Sequence, residues 1–282
     1  MKFIITGSGG CVSTPKPLCQ CKICVQAREK KYTYARCGCS LYLEDAALLV
    51  DTPEDIAAAL NNADIKSVDN ILYSHWDPDH TLGMRIMEQL RLEWLDYYDN
   101  IKPKNPVTVY AAAEVMNDVN GIRSKYGSLL DYYEHMSLIK RQTVDDSVTI
   151  GSIRISFIPV SKKKAVSVFV FEDGGKKLIY APYDCNPFPD NDLFYDADVL
   201  VIGNTFIGDV LKGGKVITAE HPLRSELFSF EDILELKERY RIGSMAVTHI
   251  EEDWGKSYDD YIAIERNYRN VRFAFDGLTI RI

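Results

Sequence analysis

The sequence predicts an α/β protein, with two mixed β-sheets face to face and helices on their outer surfaces. Three observations carry that expectation. Apolar, β-prone runs alternate with helix-like runs, and the alternation occurs twice along the chain. Two of the strand-like runs end in an isolated Asp or His, and a third ends in a cluster of both. The chain has 282 residues, enough for one large core, and it reads as a single domain over 1–282.

Lys2 to Thr6 reads as a strand that runs into Gly7-Ser8-Gly9-Gly10. Ser40 to Leu43 and Ala47 to Asp51 read as a hairpin turning at Glu44-Asp45. Pro53 to Leu60 reads as a helix with Thr52 as cap and Pro53 at its first position. Val68 to Tyr73 is a buried strand, and Gly83 to Leu95 is helix-like. Val107 to Tyr110 is a strand, with a helix from about Ala112. Strands follow at Ser152 to Val160, Ala165 to Phe171, Lys177 to Tyr180 and Val199 to Ile202, with Glu172-Asp173-Gly174-Gly175 as a hairpin turn. Ser229 to Tyr240 is a helix opening on the capping-box pattern Ser-Phe-Glu-Asp. Met245 to Thr248 is a strand ending at His249, a last helix runs near Tyr258 to Tyr268, and a hairpin closes the chain.

Lys plus Arg is 33 and Asp plus Glu is 41, a net charge of -8. That balance argues against a surface that coats nucleic acid. No apolar run approaches the ~20 residues of a membrane helix, and the short apolar start does not read as a signal peptide. Seven Cys, mostly in close pairs, suit reduced, metal-binding thiols in the cytoplasm.

The densest chemistry lies in His75-Trp76-Asp77-Pro78-Asp79-His80, between the strand at Val68 to Tyr73 and the helix-like run. Imidazole and carboxylate are ligands for Zn²⁺, Fe and Mn²⁺. Two carboxylates this close repel unless a cation lies between them. Two of the chain's five His fall here, beside two Asp. Further along, the Leu178 to Tyr183 run leads into Asp184, and Met245 to Thr248 leads into His249.

These residues together resemble the metallo-β-lactamase superfamily of metal-dependent hydrolases. The family's first motif is His-x-His-x-Asp-His after a strand, followed by a His, an Asp and a His at later strand ends. Asp79, His80, Asp184 and His249 match it, and the resemblance covers essentially the whole chain. It implies an αββα sandwich of two mixed sheets flanked by helices. Two departures stand out. The middle His of the first motif is Asp77, and Phe157-Ile158-Pro159-Val160 is followed by Ser161-Lys162-Lys163-Lys164, where the family has a His. One metal position therefore keeps His75, gains the Asp77 carboxylate and loses an imidazole. The other position is intact. The resemblance implies one firm active-site ion and a weaker or absent second. The added carboxylate favours Fe or Mn²⁺ over a pair of Zn²⁺.

Cys19-Gln20-Cys21-Lys22-Ile23-Cys24 supplies three corners of a tetrahedral Zn²⁺ site, within a Cys-rich loop at about 19–39. After a Gly-rich turn, this pattern is similar to one branch of the superfamily. That branch holds the carbon–phosphorus lyase accessory phosphodiesterase and protein B of pyrroloquinoline quinone biosynthesis. In the phosphodiesterase a His three places after the last motif His completes the zinc site; here that place is Glu252. Glu252, Cys37 and Cys39 are the candidates for fourth ligand.

By the same resemblance, His221 is the proton donor to a leaving group, a task suited to imidazole. His135 reads as core or surface, and Trp94, Tyr97 and Tyr98 as core packing. Lys162, Lys163 and Lys164 read as a solvated charge run, whose place after the preceding strand leaves open a phosphate contact for one of them. The leading expectation is a hydrolase in which water activated by a Zn, Mn or Fe ion attacks a small, possibly cyclic, phosphodiester, with Asp79 orienting the water. The expected partner is a small-molecule substrate, with no nucleic acid and no membrane; a homodimer is allowed. An Fe-dependent oxidase or oxygenase of cofactor biosynthesis, and a non-catalytic binding protein with a decayed site, are the alternatives.

Overall fold

The computed structural model describes residues 1–161, 164–203 and 205–282, with only the backbone of Lys164. The expected contacts of Lys162 and Lys163 lie outside the described residues, as does the side chain of Lys164. In the first half, β1 (Lys2–Gly7), β2 (Ser40–Leu43), β3 (Leu48–Val50), β4 (Asn70–Leu72), β5 (Val107–Ala112) and β6 (Ile139–Val144) follow one another. The second half supplies β7 (Ser147–Ile150), β8 (Ile153–Ser161), β9 (Lys164–Asp173), β10 (Lys176–Ala181), β11 (Val199–Ile202) and β12 (Ser244–Val247). Two short strands end the series, β13 (Val271–Phe273) and β14 (Thr279–Arg281).

These strands form two seven-stranded sheets, β14-β1-β2-β3-β4-β5-β6 and β13-β12-β11-β10-β9-β8-β7. Each sheet has an antiparallel half and a parallel half, the parallel strands being β3 to β6 in one and β10 to β13 in the other. Between the sheets lies one apolar layer, with Phe3, Leu41 and Leu72 from the first meeting Ile155, Phe169 and Phe171 from the second. Phe3 and Phe171 meet edge to face with ring centroids 5.4 Å apart. The outer faces bury a second and a third apolar layer. Helices Ile56–Asn62, Ala113–Val119 and Leu129–His135 cover the first sheet. Helices Phe230–Arg239 and Tyr258–Glu265 cover the second. This is the expected αββα sandwich, and its order follows from burying one face of each helix and both faces of each sheet.

Several elements begin where their caps dictate. Ser229 and Asp232 exchange hydrogen bonds as the capping box of the Phe230–Arg239 helix. The turn between β9 and β10 holds Gly174 and Gly175 at φ +57° and +79°, which glycine adopts without cost. Gly7 is required for another reason: a Cβ there would lie 1.8 Å from the Gly38 carbonyl oxygen.

Four expectations are corrected. The chain does not close in a hairpin: β13 pairs with β12 in one sheet and β14 with β1 in the other, so the two last strands tie the sheets together. The expected helix at Pro53 starts at Ile56, because Thr52 is otherwise engaged: its Oγ1 hydrogen bonds the Tyr73 hydroxyl at 2.8 Å. The Gly83 to Leu95 run is not one helix. Leu92 and Glu93 take extended angles and divide it into Ile86–Arg91 and Trp94–Tyr98. The second piece buries nothing, and Trp94, Tyr97 and Tyr98 pack on one another at the surface, 56%, 44% and 76% exposed, rather than in the core. No described helix is long and apolar enough to cross a membrane.

Candidate metal centre

All candidate ligands leave the carboxyl ends of strands. Asp51 follows β3, His75 to His80 follow β4, Asp184 follows β10 and His249 follows β12. In sheets with parallel strands this edge is where ligands bind, since loops there converge around a crevice. Asp51, Asp184 and His249 sit at φ +64°, +48° and +50°. Asp and His enter this left-handed region more readily than most side chains. Gly203 lets the two sides meet: a Cβ there would lie 1.7 Å from the Pro182 carbonyl oxygen and 2.7 Å from the His249 Cβ.

The chain after β4 turns sharply into the one-turn helix Pro78–Thr81, with Pro78 at its first position. His75 and His80 are thereby buried with ring centroids 4.2 Å apart. His80 and His249 stack with centroids 5.4 Å apart. Asp79 Oδ2 lies 3.5 Å from His80 Nε2 and 3.5 Å from His249 Nε2. Asp77 Oδ2 lies 3.7 Å from His75 Nε2. The Nε2 atoms of His75, His80 and His249 and Oδ2 of Asp79 are buried without a hydrogen-bond partner. Four such atoms would each cost on the order of 1–3 kcal/mol if nothing bound them. A tetrahedral ion with donors at ~2.1 Å spaces them about 3.4 Å apart, close to the spacing at Asp79. The donor set therefore fits a cation of the Zn, Mn or Fe type.

The Nδ1 sides of the rings are fixed from behind. Ser74 Oγ donates to Asp51 Oδ2 at 2.6 Å and contacts His75 Nδ1 at 2.8 Å. A hydroxyl has one proton, so His75 Nδ1–H donates to Ser74 and its Nε2 lone pair faces the cluster. His80 Nδ1 donates to Asp51 Oδ2 at 2.9 Å, with the same result. Asp51 also accepts from Ser74 N at 2.8 Å, so its oxygens are occupied and it orients ligands rather than joining them.

Burial pushes His75 well below the usual imidazole range, with the neighbouring His80 adding to the effect, so the ring is neutral as a ligand must be. Burial also opposes protonation of His80, but the hydrogen bond and charge of Asp51, with Asp79 and Asp77, outweigh it and raise its pKa. Asp77 is raised by burial and by Asp79, with Asp184 contributing. Burial opposes ionisation of Asp79 too, yet His249 and His80 hold it well below the usual carboxylate range. The cluster thus concentrates negative charge that a cation relieves.

Every first-motif candidate and His249 is brought together here. Asp184 acts on Asp77 through its charge, but is not among the described donors that lie within 4.8 Å of one another. His221 stands before the short helix Leu223–Glu226 rather than directly before the capped one, and its Nδ1 accepts from Leu223 N at 3.2 Å. No described contact joins it to the cluster. His135 is exposed and lines a surface groove of ≈ 720 Å³ with Arg91, Tyr97 and Ile101. Sequence reasoning did not single out Asp51, Ser74, Tyr183 or Cys11. Tyr183 lies against three imidazoles, at 4.6 Å from His249, 5.5 Å from His75 and 6.0 Å from His80 between ring centroids. Its place just before Asp184, at the end of β10, was the available signal.

The second constellation assembles beside the first. Cys21 caps the helix Lys22–Lys30, its Sγ accepting from Cys24 N at 3.5 Å. Donor atoms of Cys19, Cys21, Cys24 and Glu252 all lie within 4.8 Å of one another. Cys21 Sγ is 3.7 Å from Glu252 Oε2, near the ~3.5 Å edge expected for a tetrahedral zinc with one sulfur and one oxygen. Cys37 and Cys39 are elsewhere; Cys39 Sγ contacts the Tyr180 hydroxyl at 3.6 Å and Thr248 Oγ1 at 3.8 Å. Of the three candidates for fourth ligand, Glu252 is the one placed to serve. Lys212 Nζ bonds Glu252 Oε1 at 2.6 Å and Cys19 Sγ at 3.5 Å, adding a positive charge to an anionic cluster.

Fold and clusters together define an αββα protein built around a His/Asp metal site. The family model of the beta-lactamase superfamily domain matches residues 47–250, and the chain belongs to that superfamily. A diphosphatase from the PhnP family shares the fold with a TM-score of 0.73 at 16% identity, over 100% of this chain and 97% of that one. Zn²⁺-bound PqqB from Methylobacterium extorquens does so with 0.73 at 21% identity, over 100% of both chains. The short form of human tRNase Z gives 0.62 at 13% identity, over 100% of this chain and 99% of that one. The first two fall in the branch that the cysteine motif resembles. Against the curated proteins the sequence has no match.

Proposed function

We propose that the protein is a metal-dependent hydrolase acting on a small phosphodiester, cyclic ones included, or a related phosphate ester. The supporting observation is the convergence of His75 Nε2, His80 Nε2, His249 Nε2 and Asp79 Oδ2, all buried and without partners. A Zn, Mn or Fe ion held there supplies Lewis acidity toward a phosphoryl oxygen and water acidic enough to attack near neutral pH. Asp79, held ionised between two imidazoles, accepts a hydrogen bond from the attacking water and orients it. Asp51 and Ser74 keep the Nδ1 protons away from the reaction face. His221 holds its Nδ1 toward Leu223 N, so a neutral ring carries its proton on Nε2, the atom that would protonate the leaving oxygen. Cys19, Cys21, Cys24 and Glu252 hold a structural Zn²⁺. The PhnP-family neighbour is described as a diphosphatase, which favours phosphoryl compounds among hydrolase substrates.

A net charge of -8 favours a small substrate over nucleic acid. Seven free thiols favour a reducing compartment such as the cytoplasm. An iron-dependent oxidase is the second reading, favoured by the Asp77 carboxylate beside His75. The deciding experiment strips the protein of metal, reloads it with Zn²⁺, Mn²⁺ or Fe²⁺, and assays a panel of diesters, cyclic phosphates and diphosphates alongside O₂ uptake. Diester turnover that returns with Zn²⁺ or Mn²⁺ is expected. O₂ consumption with iron and no hydrolysis would replace the hydrolase by the oxidase.

A further inference from the structure

We propose that Cys11 is a ligand of the metal position formed by Asp79, His80 and His249, adding a thiolate as its fourth protein donor. The inference rests on the metal-site reading above and assigns a residue that none of the first-motif logic reaches.

Cys11 follows β1 through Ser8-Gly9-Gly10, a turn stitched to the end of β12. Gly9 bridges to Ile250; Ile250 N donates to the Ser8 carbonyl at 2.9 Å, and Gly10 N to the Ile250 carbonyl at 3.2 Å. Cys11 N donates to Glu251 Oε1 at 2.7 Å. A Cβ on Gly10 would lie 2.0 Å from that same carboxylate oxygen, so a larger residue there would push the Glu251 side chain aside. The chain segments that carry Cys11 and His249 are thereby locked to each other. Cys11 Sγ, a carboxylate oxygen of Asp79 and a ring nitrogen of His249 all lie within 4.8 Å of one another.

A second observation is independent of the thiol. His249 Nε2 and His80 Nε2 belong to side chains only 2% and 0% exposed, they lack partners, and both lie 3.5 Å from Asp79 Oδ2. Asp184 is not among the described donors that lie within 4.8 Å of one another, so Asp79, His80 and His249 leave a tetrahedral ion room for a further protein ligand. A sulfur at ~2.3 Å and nitrogen or oxygen at ~2.1 Å are spaced about 3.6 Å apart around such an ion, within the 4.8 Å that encloses Cys11 Sγ and its two neighbouring donors. As the sulfur–metal bond forms, the S–H proton is released to solvent. An ion that expands to five ligands still admits water. Thiolate is a soft donor, so this position selects Zn²⁺ over Mn²⁺, while the His75–Asp77 side remains harder.

The test uses the full-length protein with Zn²⁺, Mn²⁺ or Co²⁺ alone as probe. With Co²⁺ in every site, Cys11→Ser should lose the share of near-ultraviolet sulfur-to-cobalt absorption due to one thiolate of four, the other three being Cys19, Cys21 and Cys24. Zn²⁺ affinity at the His/Asp site should fall by more than the ~10–100-fold that an outer-shell partner is worth, with Mn²⁺ affinity changed less. Cys11→Asp, which returns an anionic donor, should recover Zn²⁺, gain Mn²⁺ and leave the cobalt band reduced; this guards against simple misfolding. Unchanged cobalt absorption and Zn²⁺ affinity in Cys11→Ser overturn the assignment while the metal site stands. A wild-type chain that binds metal at the cysteine cluster alone overturns both.

Discussion

Asp51 Oδ2 accepts a hydrogen bond from His80 Nδ1 at 2.9 Å, and both side chains are completely buried. The pair aims His80 Nε2 at the cluster and sets its tautomer. Asp51→Asn keeps the shape but removes the anion, and an amide in the wrong orientation would donate toward Nδ1. Metal affinity at the His/Asp site should fall about 10–100-fold, as for other outer-shell carboxylates. Stability without metal should fall by about 1–3 kcal/mol, the usual cost of a spoiled buried hydrogen bond. Competition against a chromogenic chelator measures the first; an affinity equal to wild type would remove Asp51 from this role.

The ligands should not contribute equally. His80→Ala, Asp184→Ala and His249→Ala should each abolish turnover, and His80→Ala and His249→Ala should also empty the active-site position. His75→Ala should cost less, because its position has one imidazole and the Asp77 carboxylate only 3.7 Å away. Metal content by mass spectrometry, alongside diester turnover, tests the order. Equal losses in all four variants would show a true pair of ions with a replacement ligand.

Cys21→Ser should release about one Zn²⁺ per chain and lower the melting temperature, since binding energy of structural zinc is largely folding energy. Cys21 also caps the Lys22–Lys30 helix, and a serine keeps that function, so any loss reports the metal. Full zinc and full stability in this variant would mean the four side chains hold no ion.

His221→Ala should slow an alkyl diester far more than an activated aryl diester, with metal content unchanged. A proton donor is worth on the order of 10²–10⁴ in rate when the leaving group is a poor one. A nitrophenolate needs little help. Equal slowing of both substrates would make His221 a packing residue.

The fold was legible because its signals are local. Apolar runs, capping boxes and Gly174-Gly175 each act over a few residues, and β1, β2, β10 and β11 lie where those signals place them. The closing hairpin was misread because pairing is not local: β13 and β14 are near in sequence yet join different sheets. The helix Lys22–Lys30 was hidden inside a stretch read as a metal loop, although Ile23 and Ala27 give it a buried face. The residues of the His75–His80 motif and His249 were legible because ligand types are rare and clustered. Asp51 and Cys11 were not: each stands alone in sequence, and only the crossing of β1, β3, β4 and β12 brings them to the imidazoles.

Three peptide units separate His249, in the His/Asp cluster, from Glu252, in the cysteine cluster. Between them Ile250 pairs with the turn after β1, and Glu251 holds Cys11 N. The two clusters are therefore wired in series through one short run of backbone. An ion bound at the cysteine cluster would therefore bear on the aim of His249 only through Ile250 and Glu251, which the turn after β1 already grips.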